Sequence, residues 1–360
     1  MNITDFTAEL LGLGEPTHFE PACAWLRNDL FARLAEHGFR SIALETDRVA
    51  ALDGGFSHEL GEVAANQQLL KWLRVYNETA EEPLTFHGFD APTEMFSAPS
   101  PRPYLEHVRD YLGLDIDIAA LTGDDERWSR SEAILDPAQS PGASPEAREL
   151  RVLADDLLVA LYAAAPGLDA AASRLDAAAP RLDAAWERAK VHAMAGRGLL
   201  RYHAASAQPG DRDTRISRLA GMRAVLMAEN LLDIRAIEAP RGPTLVFAHN
   251  GHLQRSGSGA GAIVGALLGD RYAFVAGSLG RSDAIGLGEP APDTYEGVLQ
   301  QGTDTWKLAG VPAGRQRTDT KPERGYFGLD AALCESATAV WHIAIGCGSP
   351  RTEPGAGAAG

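Results

Sequence analysis

The chain has 360 residues, enough for a large hydrophobic core, and 45% of them are hydrophobic, as in an ordinary globular protein. Its formal net charge of −16 argues against nucleic acid or an anionic membrane as the main partner, and the lack of any run of about 18 apolar residues predicts no membrane span. Three cysteines without a CxxC pair favour a reducing compartment, and the N-terminus lacks signal-peptide features, so we expect a cytoplasmic protein.

The first 95 residues alternate between short apolar runs and helical patterns. Apolar runs predict buried strands at residues 10–13, 41–44 and 84–89. Apolar residues at helical spacing predict helices at residues 21–38 and 67–76, the first of which ends at Gly38. Strands that alternate with helices predict parallel pairing through right-handed crossovers.

Residues 96–240 differ from this pattern and are mostly helical, apart from two Pro- and Ser-rich loops. A short Leu-Asp-Ala-Ala repeat begins at positions 168, 175 and 182, and we interpret it as part of an Ala-rich helical hairpin interrupted by prolines. Apolar strands resume at 244–248, 272–276 and 339–345.

We therefore predict an α/β fold with a mostly parallel central sheet flanked by helices. Residues 1–95 and 241–350 form the two halves of this core, and residues 96–240 form a helical insertion that is a lid or wall over the carboxyl edge of the sheet. The Gly- and Ala-rich residues 351–360 are expected to be a disordered tail.

A carboxylate and an imidazole follow the first predicted strand, in the segment Gly14-Glu15-Pro16-Thr17-His18. Ligands of open α/β sheets bind at the carboxyl ends of the strands, where this segment lies. Glu15 would fix the tautomer of His18 and raise its basicity, as expected of a general base that takes a proton from water. A helix cap beside a hydrogen-bonded loop histidine explains the same spacing equally well.

Other strand ends carry Glu45, Asp90, His249 and His252. Glu45 is either a second carboxylate of the site or a solvated acid that caps the next helix. His249 and His252 are oxyanion donors, a general acid or metal ligands, or else they belong to a polar turn. His87 and His342 lie within apolar strands, which favours buried histidines without a chemical role.

Several common catalytic motifs are missing from the chain. There is no GxSxG elbow, no Walker A motif and no GxGxxG after a strand, and Cys23 is more typical of a small buried residue than of a nucleophile. We therefore predict an enzyme without a nucleotide cofactor or a covalent nucleophile.

The order of sequence motifs along the chain resembles the erythromycin esterase family over roughly residues 10–345. Seven motifs carry the resemblance in order: Gly-Glu-x-x-His at 14–18, Gly-Phe-x-x-Ile-x-x-Glu at 38–45, Trp-x-Arg-x-Tyr-Asn at 72–77, Gly-Phe-Asp at 88–90, Met-Ala-Glu-Asn at 227–230, Ala-His-Asn-x-His at 248–252 and Gly-Tyr-Phe at 325–327. Each motif is weak alone, whereas seven in sequence order are a strong signal.

The resemblance implies a hydrolase without metal or cofactor that opens macrolactones or other esters with water. It assigns His18 as the base, and Glu15 and Glu45 as the acids that orient and polarise it or hold the water. It assigns His249 and His252 as further lining of the pocket, one of them stabilising the oxyanion. Arg223 matches an arginine that the family places in its site, with Arg74 a weaker candidate for the same wall. Asp90 and Asn250 are expected to contact a bulky substrate such as a macrolide or polyketide.

Departures from the family pattern leave the substrate open. The family usually places an acid after the arginine, whereas Ala224 follows Arg223 here, and a basic residue expected soon after His18 is replaced by Cys23, with Arg27 further on. The same His and Glu set is compatible with cyclisation, isomerisation or elimination in secondary metabolism, without water. A metal-dependent hydrolase and a protein that sequesters an antibiotic without turnover are the remaining alternatives.

Overall fold

The computed structural model describes residues 1–94, 96–165 and 179–346, with side chains omitted at 179–183. Seven strands form one sheet: β1 Leu10–Glu15, β2 Ser41–Asp47, β3 Thr85–Asp90, β4 Thr244–His249, β5 Tyr272–Arg281, β6 Trp306–Ala309 and β7 Ala339–Ile345. Their order in the sheet is β3-β2-β4-β1-β5-β7-β6. The predicted α/β class is therefore confirmed.

Parallel pairing dominates this sheet. Strand β1 lies between β4 and β5, with Leu10 opposite both Thr244 and Tyr272, and β2 pairs with β4 in parallel. The edge strand β6 pairs antiparallel with β7, which the sequence pattern did not predict. Because β2, β4 and β1 are parallel neighbours, their carboxyl ends meet at one edge of the sheet.

Fourteen α-helices form among the described residues. They are α1 Pro21–Glu36, α2 Arg48–Ala51, α3 Ala64–Asn77, α4 Arg102–Leu112, α5 Ile118–Thr122, α6 Glu126–Ser129, α7 Glu132–Leu135, α8 Pro145–Ala164, α9 Ala179–Ser206, α10 Arg212–Glu238, α11 Asn250–Leu253, α12 Ala260–Leu268, α13 Tyr295–Gln300 and α14 Ala331–Ser336. Among the described residues, no helix combines the length and apolar character that a bilayer span requires.

The chain divides into two compact units. Unit 1 contains Met1–Glu45, Glu59–His87 and Leu231–Gly360, and unit 2 contains Thr46–His58 and Gly88–Asn230. The core of unit 1 includes the fully buried apolar side chains of β1, β4 and β5, as expected for central parallel strands. Unit 2 has its own helical core, in which Leu105, Trp128, Leu150, Leu161 and Leu200 are buried.

The predicted domain boundaries at 95 and 240 stay a prediction, as does the lid or wall role of residues 96–240. Most of the Leu-Asp-Ala-Ala repeat and the tail at 351–360 lie outside the described residues. Pro180, which was expected to interrupt a helix, falls in the first turn of α9, where a missing N–H costs nothing.

Candidate active site

The end of β1 brings Glu15 and His18 into direct contact. Glu15 is the last residue of the strand, and the turn before α1 places Nδ1 of His18 2.7 Å from its Oε1. The Glu15 side chain is 9% exposed and that of His18 is 40% exposed. Because a carboxylate can only accept, Nδ1 carries the proton, and Nε2 is the nitrogen that accepts one. The dyad therefore has the tautomer of a general base.

Glu45 lies between three histidines. It sits within β2, two residues before the end of that strand, and its side chain is buried. Its Oε2 accepts the backbone N–H of His249 at 3.0 Å and lies 3.7 Å from Nε2 of His18. Its Oε1 lies 3.1 Å from Nε2 of His252, within ion-pair distance. The carboxylate thus links the ends of β1, β2 and β4.

Both ring nitrogens of His249 have backbone partners. Its Nδ1 accepts the N–H of Gly251 at 3.2 Å, so the proton resides on Nε2, which lies 3.2 Å from the carbonyl oxygen of Gly325. Burial lowers the pKa of His249, with the neighbouring His18 acting in the same direction. This neutral imidazole therefore connects the end of β4 to the segment that contains Gly325.

Thr17 also binds the segment that contains Gly325, through the neighbouring residue Arg324. Its hydroxyl donates to the carbonyl of Arg324 at 2.6 Å and accepts the N–H of Phe19 at 3.2 Å. The next carbonyl along the chain, that of Gly325, is the partner of His249. Two consecutive carbonyls are thus fixed to the loops that carry the candidate catalytic groups.

Asn250 supports the sheet. Its amide nitrogen donates to the carbonyl of Gly277 at 2.9 Å, and its Oδ1 accepts the N–H of the same residue at 2.8 Å. A Cβ on Gly14 would lie 2.2 Å from that Oδ1, so only glycine leaves room for the amide. The amide therefore uses its oxygen and one N–H within the sheet, and the substrate contact predicted for Asn250 stays a prediction.

A cavity of about 410 Å³ opens beside the dyad, within unit 1. Glu15, His18 and Glu45 line one part of it, and most of the remaining wall is apolar. Arg27 also lines it and is only 2% exposed. Burial lowers the pKa of Arg27 to about 10, although the Glu15 carboxylate opposes this shift.

The sequence analysis named Arg27 only as a basic residue beyond Cys23 and did not place it in the site. Its guanidinium lies 4.9 Å from the centroid of the Phe247 ring, and Nε and Nη2 both donate to Oδ1 of Asn28. Its position in α1 could have indicated it, because an arginine on the sheet-facing side of this helix lies close to the end of β1.

The remaining candidates occupy other places. Asp90, at the end of β3, is fully buried in unit 2 and accepts Nε and Nη2 of Arg223 through its two oxygens. This bidentate pair occupies the carboxylate of Asp90. Arg74 is exposed in the last turn of α3 and is not among the residues that line the cavity. The site roles predicted for Arg223, Asp90 and Arg74 stay predictions.

A protein-family model matches most of this chain. The model of the erythromycin esterase family matches residues 34–356, a range that starts after His18 and includes Glu45, His249 and His252. A search of curated protein sequences returned no match.

Three solved structures share the fold. A mutant of the erythromycin esterase EreC in its open conformation is 18% identical, with a TM-score of 0.60 over 94% of this chain and 91% of that one. A protein from Bacillus cereus is 17% identical, with a TM-score of 0.59 over 95% of this chain and 90% of that one. A succinoglycan biosynthesis protein is 16% identical, with a TM-score of 0.65 over 94% of this chain and 88% of that one.

Proposed function

The chain belongs to the erythromycin esterase family, and we propose that it hydrolyses an ester or macrolactone with water activated by His18. The observation that carries the proposal is the 2.7 Å contact between Glu15 and Nδ1 of His18, which leaves Nε2 to accept a proton beside Glu45. Hydrolysis needs a base of this kind when no serine or cysteine nucleophile is available.

One water placed beside the two acceptors can contact both. Nε2 of His18 and Oε2 of Glu45 are 3.7 Å apart, so one water can donate a hydrogen bond to each. In the proposed step the water oxygen attacks the ester carbonyl while its proton moves to Nε2. The resulting imidazolium is stabilised by Glu15, as the acid of a catalytic triad stabilises its histidine.

Collapse of the tetrahedral anion completes the reaction. The proton on Nε2 of His18 passes to the departing alkoxide, which yields an alcohol and a carboxylic acid and restores the neutral imidazole; the acid then loses its remaining proton to solvent. No bond to the protein forms at any stage. Throughout, Oε2 of Glu45 keeps its hydrogen bond from the backbone N–H of His249.

Two groups are suited to stabilise the developing oxyanion. Arg27 lines the cavity that contains His18 and carries a charge in a buried setting, where electrostatic stabilisation is strong. His252 is partly exposed and is fixed by Glu45. In this proposal His249 orients the site through its contact with Gly325 and does not transfer a proton.

The direct test is product mass after incubation in ¹⁸O-labelled water. A panel of macrolactones, polyketide lactones and simpler esters is incubated with the protein, and the His18→Ala variant is the control. A product that gains one labelled water, absent with the variant, supports hydrolysis by this base. A transformed product without label would replace the proposal with cyclisation, isomerisation or elimination.

A further inference from the structure

The cavity beside His18 also indicates the class of substrate. Its apolar wall is formed by side chains from α1, α3 and the neighbouring strands, among them Phe19, Trp25, Leu44, Val63 and Phe247. Small side chains widen it at Ala24, Ala64, Ala65 and Ala284. A pocket with this lining binds an apolar group and excludes water from it.

The polar groups of the cavity are confined to a few positions. Glu15, His18 and Glu45 form the proposed catalytic part, and the other polar lining residues are Arg27, Asn66 and Glu20, whose carboxylate accepts the N–H of Ala22 and the hydroxyl of Ser282. The carboxylates of Glu15, Glu20 and Glu45 outnumber the single cation Arg27 in the lining, which disfavours an anionic ligand. A neutral ester group therefore fits this position better than a free carboxylate.

The volume of the cavity limits the size of the group that it can bind. At roughly 30 Å³ for a water-sized group in a liquid, a cavity of about 410 Å³ holds about 14 such groups. This is enough for an apolar chain of medium length, but it does not enclose a complete macrolide with its sugars. The exposed ring of Phe19 extends the apolar surface at the cavity wall.

We propose that this cavity holds the acyl chain of the substrate, an apolar chain of about 10 to 14 carbon atoms whose ester carbonyl lies at His18. The inference rests on the proposed hydrolase function for the placement of the carbonyl. The binding of the chain itself depends only on the cavity. An experiment can therefore refute the proposed binding of the chain without refuting the proposed hydrolysis, and the reverse.

The first test measures kcat/KM for 4-nitrophenyl esters of straight-chain acids, from about 2 to about 16 carbon atoms. Each added methylene is expected to raise kcat/KM about two- to fourfold until the cavity is filled, and longer chains give no further gain. A rate that does not depend on chain length would overturn the inference.

The Ala64→Phe variant tests the same inference by reducing the volume of the cavity. Ala64 lines the cavity, is exposed and is the first residue of α3, so a phenyl ring there fills space without disturbing the core. The preferred chain should become shorter by about three to four carbon atoms. Ala331→Phe is the control, because Ala331 is exposed and is the first residue of α14 but does not line the cavity. An equal shift in both variants would contradict the proposal.

Binding is measured separately from turnover. The His18→Ala variant, which should not cleave the ester, is titrated with the 4-nitrophenyl ester of a 12-carbon acid, while quenching of Trp25 fluorescence is followed. Trp25 lines the cavity, so Trp25→Phe should remove most of the saturable change. Saturable binding that Ala64→Phe weakens about tenfold, without hydrolysis by the wild type, would support the cavity and reject the proposed function. Hydrolysis of short esters without any such binding would do the reverse.

Discussion

Replacing Glu15 with glutamine tests the proposed base most sharply. The substitution keeps the size of the side chain and removes its charge, 2.7 Å from Nδ1 of His18. The amide oxygen can still accept the Nδ1 proton, but it stabilises the imidazolium formed on attack less well. We therefore expect kcat/KM to fall while the fold is retained.

The size of the loss follows from the contact. A hydrogen bond to a charged group contributes about 1.5–3 kcal/mol and a neutral one about 0.5–1.5 kcal/mol, so the substitution should cost about 1–2 kcal/mol in the transition state. This corresponds to roughly 5- to 30-fold in kcat/KM. If the amide rotates and donates to Nδ1, the proton moves to Nε2 and the loss approaches about 10⁴-fold, as in the Asp→Asn variant of a serine protease triad.

The assay is kcat/KM for the best ester across pH, with Glu238→Gln as a matched control. Glu238 also contacts a histidine at 2.7 Å, namely Nε2 of His87, and both residues belong to the same unit but not to the cavity. Kinetics of the control should stay within about twofold of wild type. In the His18→Ala background, Glu15→Gln should have no further effect, because its action passes through His18. Equal losses in both backgrounds, or an unchanged rate in the single variant, would refute the reasoning.

Three further predictions concern stability and metal dependence. Thr17→Val leaves the carbonyl of Arg324 without its 2.6 Å donor, so the free energy of unfolding in urea should fall by about 1–3 kcal/mol, and Thr17→Ser should restore it. Burial lowers the pKa of His203 to about 4 and that of His342 to about 3, from 6.5. Their stabilising effect is therefore complete above pH 6.5 and is lost as pH falls, by about 2 kcal/mol each at pH 5; urea unfolding at pH 5 and 7.5 that gives equal stability would contradict this. Finally, prolonged chelation should leave kcat unchanged, whereas a loss of activity that zinc reverses would favour the metal-dependent alternative.

The sequence predicted most strands because buried parallel strands are continuous apolar runs. Their ends were less predictable, since β5 continues to Arg281 through pairing with β7, well beyond the apolar run at 272–276. The four-residue strand β6 was missed because it is short, half-buried and paired with a strand distant from it along the chain. The local sequence pattern of a strand does not show which distant strand it pairs with.

The composition of the site was partly predictable for a related reason. Residues at the ends of different parallel strands converge, and the structure brings together Glu15, His18, Glu45, His249 and His252. The order β2-β4-β1, which makes these ends neighbours, depends on how the whole chain packs. The burial of Arg27 depends on the same packing and could not be derived from its position in a helix.

Proton positions separate the three histidines, although they look equivalent in the sequence. Both nitrogens of His249 have backbone partners, and Nε2 of His252 lies 3.1 Å from Oε1 of Glu45. His18 is the one whose Nδ1 proton is held by the buried Glu15, and its Nε2 lies 3.7 Å from Oε2 of Glu45, in a residue that lines the cavity. Because a base must accept a proton where the substrate binds, this difference in partners, more than the presence of imidazole, assigns the proposed base.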